Sequence, residues 1–316
     1  MTMKNICISA LAAIAMLAAG CSNSDTDDAV KPDMSGKSIA FTAGVNTLTT
    51  RAGHAAGSLN EGEFGLFLTT EGTNGDAQYN ATNMKVTGAA GIWTPATMLL
   101  WKNNTAKVSY TAYLPYTDQL ENGKDYTINL STTQTAETML NEDLLYAEAT
   151  DITAADNTGG IDVKFSHKLA KLKVVLTKGT EVNADMEVTG VKVAKCLIKG
   201  SMDVTTGKLT LGSSAPIGDY TNVNLYGTKT EGSAFTDTWE ALIMPTIWGG
   251  NEFTVTVTVA SGNDVRAFQY SCSSWMAYSG NEYTLPLQVG RDKVIAGKIS
   301  ASEWADAGTS EIETED

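Results

Sequence analysis

The sequence predicts an all-β protein built as two antiparallel β-sandwich domains in tandem. Two observations lead there. Runs of β-branched and aromatic residues recur along the whole chain, broken by Gly, Asn, Asp and Thr, while helix signals are nearly missing. The ~295 residues that follow an N-terminal leader are also enough for two domains of ordinary size.

The clearest run is 253–259. Phe253, Val255, Val257 and Val259 fall on one face and threonines on the other, the period of two that a half-buried strand requires. The run 171–176 does the same, with Leu172, Val174 and Leu176 inward. In chain order, strands are predicted over residues 39–45, 63–69, 107–113, 126–130, 161–165, 171–176, 187–198 and 208–211. They continue over 223–226, 239–244, 253–259, 265–271, 282–287 and 293–300. The one helical candidate is a short turn near residues 138–143. The stretch 147–160, rich in Ala, Thr, Asp and Gly, reads as the connection. It divides an N-terminal domain at 38–155 from a C-terminal domain at 156–300, with an acidic tail at 301–316. His167–Lys173 fits either domain.

The N-terminus has its own pattern. Lys4 precedes a mostly apolar run, Ile6–Leu17, too short for a stable span of ~20 residues. It ends in Leu17-Ala18-Ala19-Gly20-Cys21, which resembles a bacterial lipobox. Residues 1–20 are therefore expected to be a signal peptide, and Cys21 the site of lipidation by diacylglycerol and palmitate. Residues 21–37 form a flexible tether, beginning with the polar, acidic Ser22–Asp28. Those acidic residues fit either a surface-export signal or a plain solvated spacer.

Composition excludes several classes. The formal charge is −14, and loss of Lys4 with the leader makes it one unit more negative. Such a chain repels phosphate backbones, so nucleic acid is not an expected partner. The cysteines left after Cys7 and Cys21 are Cys196 and Cys272, which fit either one disulfide or two buried thiols. The 2 histidines, His54 and His167, show no zinc-ligand spacing. His54 is expected to be exposed in a loop, and His167 to be structural. No nucleophile elbow, phosphate loop or dinucleotide fingerprint occurs. No catalytic, cofactor or metal residue is assigned, so a hydrolase reading has no motif behind it. The tryptophans read as core or inter-domain packing, with sugar stacking open to an exposed one.

Several local patterns occur in order. Thr49-Thr50-Arg51-Ala52 follows the first strand, and Glu63–Leu68 is a Gly-aliphatic-Phe strand. Trp93 and Trp101 precede the aromatic strand Ser109–Pro115. Asp143–Ala147, Phe165–Leu172 and Gly280–Tyr283 come next, then Ile299 and Trp304. Together these resemble the fimbrillin family, the type V pilins of Gram-negative anaerobes, over nearly the whole chain.

The resemblance implies two transthyretin-like sandwiches and an outer-membrane lipoprotein precursor. It also implies a cut by an Arg-specific maturation protease behind the first strand. A strand of another pilus subunit then fills the vacated groove. Here the first strand is 39–45, with Ile39, Phe41, Ala43 and Val45 on one face, followed by the polar loop 46–57. Of the three arginines, Arg51, Arg266 and Arg291, only Arg51 lies in that loop. Cleavage between Arg51 and Ala52 would remove the lipid and leave an unpaired edge over an apolar groove. A foreign strand satisfies that edge, and a chain that both gives and receives a strand grows a fibre.

The expected donor is the segment 293–300. Val294, Ala296 and Lys298 form one face, and Ile295, Gly297 and Ile299 the more apolar one, so Val294, Ile295 and Ile299 are the candidate donor residues. The function expected is a shaft or tip subunit of a cell-surface pilus that mediates adhesion. The alternative is a lipid-anchored, non-polymerising module that binds glycan or a host protein.

Overall fold

The computed structural model describes residues 31–46, 54, 57–180, 182–183, 185–211, 220–233, 235–303 and 309–311. The first half carries β1 (Phe41–Val45), β2 (Gly57–Ser58), β3 (Gly62–Thr70), β4 (Ala81–Ala89), β5 (Ile92–Pro95), β6 (Val108–Leu114), β7 (Asp125–Asn129), α1 (Ala136–Glu142), β8 (Leu145–Ile152) and β9 (Ile161–His167). The second carries β10 (Ala170–Lys178), β11 (Glu187–Leu197), β12 (Lys199–Asp203), β13 (Lys208–Leu211), β14 (Tyr220–Asn224), β15 (Tyr226–Thr228) and β16 (Thr238–Ile243). It continues with β17 (Thr246–Ser261), β18 (Asp264–Ala277), β19 (Asn281–Val289), β20 (Val294–Ala296), β21 (Ser300–Glu303) and β22 (Thr309–Glu311).

α1 is the one helix among the described residues, and it coincides with the expected turn. It forms because Thr135 and Thr138 cap each other. The Thr135 hydroxyl accepts the Thr138 N–H at 3.1 Å, and Thr138 Oγ1 accepts the Thr135 N–H at 2.8 Å.

In the first half the strand order is β2-β1-β5-β4-β3-β6-β8-β9, and β1 also pairs with β9, so the sheet closes on itself. Its core includes Phe64, Leu66, Leu68, Val86, Trp93, Trp101, Val163 and Phe165. In the second half, β15-β16-β10-β19-β21-β22 faces β14-β11-β17-β18 across a core that holds Leu172, Val174 and Leu176 on one side. Phe253, Val255, Val257 and Val259 hold the other, as their alternation predicts. The pairings are antiparallel apart from β1 with β9 and β10 with β19, which are parallel.

A third sheet, β13-β12-β7, takes strands from both halves. Under it lies a third apolar cluster, where Tyr113, Ile128 and Met139 meet Leu197, Met202 and Leu242.

The structure corrects several expectations. A division at 155/156 leaves β9 in the wrong half. Its Ile161, Val163 and Phe165 belong to the first core, and the second core begins at Ala170. Most of 147–152 is not a connection but the rest of β8, paired with β6. The tail is not free where it is described, because β21 pairs with β19 and β22 with β21. The expected strand 293–300 is two strands, β20 and β21, both on β19.

Candidate functional site: the seat of the first strand

β1 and the chain before it lie in a long apolar slot. Ile39, Phe41, Ala43 and Val45 are each 5% exposed or less, so the alternation read from the sequence gives the buried face. Before β1, the Ile39 N–H donates to the Leu99 carbonyl at 2.8 Å and the Gly36 N–H to the Trp101 carbonyl at 2.8 Å. Within β1, Phe41 stands opposite Trp93 of β5. On the other side Phe41 to Val45 run in register with Ile161 to Phe165 of β9. On the outer face Thr42 Oγ1 donates to Asp162 Oδ1 at 2.9 Å.

The floor of the slot is aromatic. Phe64 lies 5.1 Å from Trp93 and 5.6 Å from Phe165 between ring centroids. The Trp93 indole N–H is satisfied by the Leu59 carbonyl at 3.0 Å. β1 therefore closes the first half in two ways: it completes the hydrogen-bonded circuit and it covers the core. Burial of Ile39, Phe41 and Val45 is worth roughly 1.5–3 kcal/mol for each.

Two close approaches set the fit. Gly160, at φ +108, brings β9 against β1, and a Cβ there would lie 2.4 Å from the Ala40 carbonyl oxygen. The Ile161 N–H uses that same oxygen at 2.8 Å. Gly44 lets β2 lie on β1, since a Cβ would meet the Gly57 carbonyl oxygen at 2.9 Å.

Arg51, Ala52 and Cys21 lie outside the described residues, but the flanks of the segment that holds Arg51 do not. The chain leaves β1 with the Asn46 N–H on the Phe165 carbonyl at 2.9 Å. It returns at His54, whose N–H donates to Asp143 Oδ2 at 2.8 Å. β2 then pairs back on β1, Gly44 opposite Ser58 and Val45 opposite Gly57.

His54 is thus partly buried, not exposed as expected. Asp143, at the end of α1, offers its other oxygen to His167 Nδ1 at 2.9 Å. His167 is buried on β9. Nothing local in the sequence linked Asp143 to either histidine.

The donor candidates are placed differently from expectation. Val294 and Ala296 pack on the second core, whereas Ile295 is 50% exposed and Ile299 is 2% exposed. Ile295 and Ile299 therefore do not share a face. Between the two pairings on β19, Leu285 and Pro286 oppose the three residues 297–299. That one-residue bulge reverses the alternation. Ile299 and Ala301 are also part of the chain's own second core.

Two other features belong to the second half. Cys196 and Cys272 are free thiols, on β11 and β18 with β17 between them. Burial pushes the Cys196 thiol up to about 12. Lys171, predicted to be outward, is fully buried on β10 instead. Its Nζ lies 2.9 Å from Glu240 Oε1 on β16 and 3.4 Å from Glu282 Oε2 on β19.

The profile of the fimbrillin-like family matches residues 50–304. No curated protein matches the chain by sequence. Among solved structures, a candidate cell adhesion protein of Bacteroides uniformis superposes with a TM-score of 0.63 at 19% identity, over 85% of this chain and 98% of that one. Another, from Bacteroides ovatus, gives 0.63 at 17% identity, over 89% and 100%. A fimbrial protein of Bacteroides vulgatus gives 0.51 at 15% identity, over 84% and 99%. These likenesses are of fold. The family match covers most of the sequence, from the segment behind the first strand to the end of β21, and on that ground the chain belongs to the fimbrillin-like family.

Proposed function

We propose that this chain is a structural subunit of a cell-surface pilus, in the shaft or at the tip, which serves adhesion and is not an enzyme. Assembly starts when the first strand is replaced. The observation that carries this reading is the seat of β1. One short strand closes the circuit between β5 and β9, and its own flanks bracket the segment that holds Arg51. Loss of β1 would open two edges and an aromatic floor at once, and a neighbour's strand satisfies both. Family membership and the fimbrial and adhesion proteins of like fold support the same reading.

The precursor is proposed to be an outer-membrane lipoprotein held through Cys21, with residues 1–20 as its signal peptide. The lipobox-like run ending at Cys21 supports this. An Arg-specific protease cuts between Arg51 and Ala52, and other pilus subunits are the partners. The donor is placed in the segment around Val294, Ile295 and Ile299. Because Ile299 sits in its own second core, that segment has to leave β19 before it can be given away.

The test compares wild type with Arg51→Ala, each treated with an Arg-specific protease and run on a gel without boiling. Wild type should form ladders and Arg51→Ala should stay monomeric. Equal polymerisation of the two would remove Arg51 as the switch. A cleaved wild type that stays monomeric would favour the non-polymerising, lipid-anchored module that binds glycan or a host protein.

A further inference from the structure

Of the three arginines in the sequence, Arg266 and Arg291 are the two among the described residues, and the fold brings them into contact. Arg266 lies near the start of β18, opposite Val259 of β17. Arg291 is exposed at the tip of the β19–β20 hairpin, just past the point where Val289 stands opposite Val294. The Arg266 guanidinium donates through Nη1 to the Arg291 carbonyl at 3.4 Å. We propose that these two hairpins shield both arginines from an Arg-specific protease, so that an enzyme that cuts behind β1 leaves β20 and β21 joined to the rest of the chain. The inference rests on the proposed use of such a protease, and the shield itself is a property of the uncut chain.

Exposure alone would mark residues 290–293 for nicking, since Gly290, Arg291, Asp292 and Lys293 form a polar loop tip. Hydrolysis of the Arg291–Asp292 amide consumes one water, breaks the C–N bond and leaves a carboxylate on Arg291 and an amine on Asp292. For that attack a protease draws the arginine side chain into its specificity pocket and the scissile carbonyl oxygen into its oxyanion hole. Here that oxygen accepts from Arg266. The turn is also tight. The Gly290 N–H donates to the Lys293 carbonyl at 2.8 Å, and a Cβ on Gly290 would lie 3.0 Å from the same oxygen. Beyond the turn, Gln288 and Leu287 pair with Ile295 and Ala296, and Val294 and Ala296 pack on the second core. The scissile bond therefore reaches a protease only when this hairpin opens. Arg266 is held as well. Its Nε and Nη2 donate to Asp264 Oδ2 at 2.8 and 2.5 Å, and its backbone lies within the long β17–β18 ladder.

Cleavage at a folded site follows the population of the locally open form when opening and closing are fast relative to the cut. Backbone pairing sets most of that population here. The Arg266 tie adds less, because its side chain is 48% exposed and its ion pair with Asp292, at 3.8 Å, is weakened by water. A cut after Arg291 would leave Val294, Ile295 and Ile299 on a fragment with no peptide bond to the body of the subunit. Such a subunit would still receive a strand but would have no tethered strand to give, so a fibre would end there.

The test uses the full chain carrying Arg51→Ala, whose arginines are then Arg266 and Arg291. It is treated with an Arg-specific protease under native conditions and read by intact mass after denaturation. A synthetic peptide of residues 285–297 gives the rate for the same bond without the fold. The folded chain should be cut after Arg291 at least about a hundredfold more slowly than the peptide, and not after Arg266. Arg266→Gln in the same background should raise the Arg291 rate roughly two- to fivefold. Insertion of Gly-Ser-Gly after Asp292, which loosens the turn, should bring it within about tenfold of the peptide. Cleavage of the folded chain at close to the peptide rate would overturn the shield, and so would an insertion that leaves the rate unchanged. An unchanged rate in Arg266→Gln would overturn the part given to its guanidinium. With Arg51 replaced, none of these outcomes depends on a cut behind β1 or on polymerisation.

Discussion

At the scale of single residues, the sites that matter most are those where a side chain or a missing one leaves no alternative. Lys171 is a cation set between Glu240 and Glu282, all three being nearly or fully buried. Its removal would strand two acidic side chains in a dry setting. Lys171→Met is therefore expected to cost about 3–5 kcal/mol, more than an exposed ion pair would. A urea melt at neutral pH measures it, and a loss under about 1 kcal/mol would show that the pair is not desolvated. Gly160 is the second such site. At φ +108 any side chain is strained, and here the new Cβ would also strike the Ala40 carbonyl. Gly160→Ala should destabilise by at least about 1–3 kcal/mol and loosen β1 in particular. The sequence named neither role. A lysine that alternates with Leu172 and Val174 reads as solvent-facing, and it is buried only because the third apolar cluster covers that face.

At the scale of elements, the readable strands are those with one dry and one wet face. Ile39, Phe41, Ala43 and Val45 announce β1 by period alone, and Phe253 to Val259 announce β17. Strands that break the pattern were missed. β4 has Asn83 at φ 44, opposite the point where its register with β3 shifts, and so it does not alternate cleanly. β5 is four residues with one buried aromatic, Trp93. β8 continues as Ala-Glu-Ala-Thr-Asp, a composition that reads as a linker. The partner of β1 was hidden for a different reason. Parallel pairing with β9 joins segments far apart in sequence, and no local signal encodes it. The bulge at residues 297–299 was equally silent, and it exchanged the faces of Ile295 and Ile299. The burial of β1 has its own consequence. Phe41 lies in the first core at 3% exposure, so Phe41→Ala should cost about 3–5 kcal/mol. Thr42→Ala, on the outer face, should cost under about 1.5 kcal/mol, the net worth of its bond to Asp162. A melt of both variants in the uncleaved chain makes the comparison, and similar losses would mean that β1 is not seated as described.

At the scale of the whole molecule, the two halves share more than a linker. β7 of the first half pairs over five residues with β12 of the second. The third cluster draws Ile128, Leu130 and Met139 from one side and Leu197, Met202 and Leu242 from the other. The joint is completed by Gln134, which is buried. Its Nε2 donates to the Leu242 carbonyl at 2.8 Å, and its Oε1 accepts the Leu242 N–H at 2.7 Å. One side chain therefore does for β16 what a neighbouring strand would do. The joint also makes a thermodynamic prediction. With a shared core, neither half can melt without exposing apolar surface of the other, so the uncleaved chain should unfold in one transition, with calorimetric and van't Hoff enthalpies equal. Gln134→Ala leaves both polar groups of Leu242 buried and unpaired, at about 1–3 kcal/mol for each. That cost falls on the joint, because Leu242 belongs to the third cluster. The variant should melt earlier and in two resolved steps. Two steps already in the wild type would show that the halves are independent, and a single, merely shifted step in Gln134→Ala would show that the β7 to β12 pairing and the third cluster couple them without the glutamine.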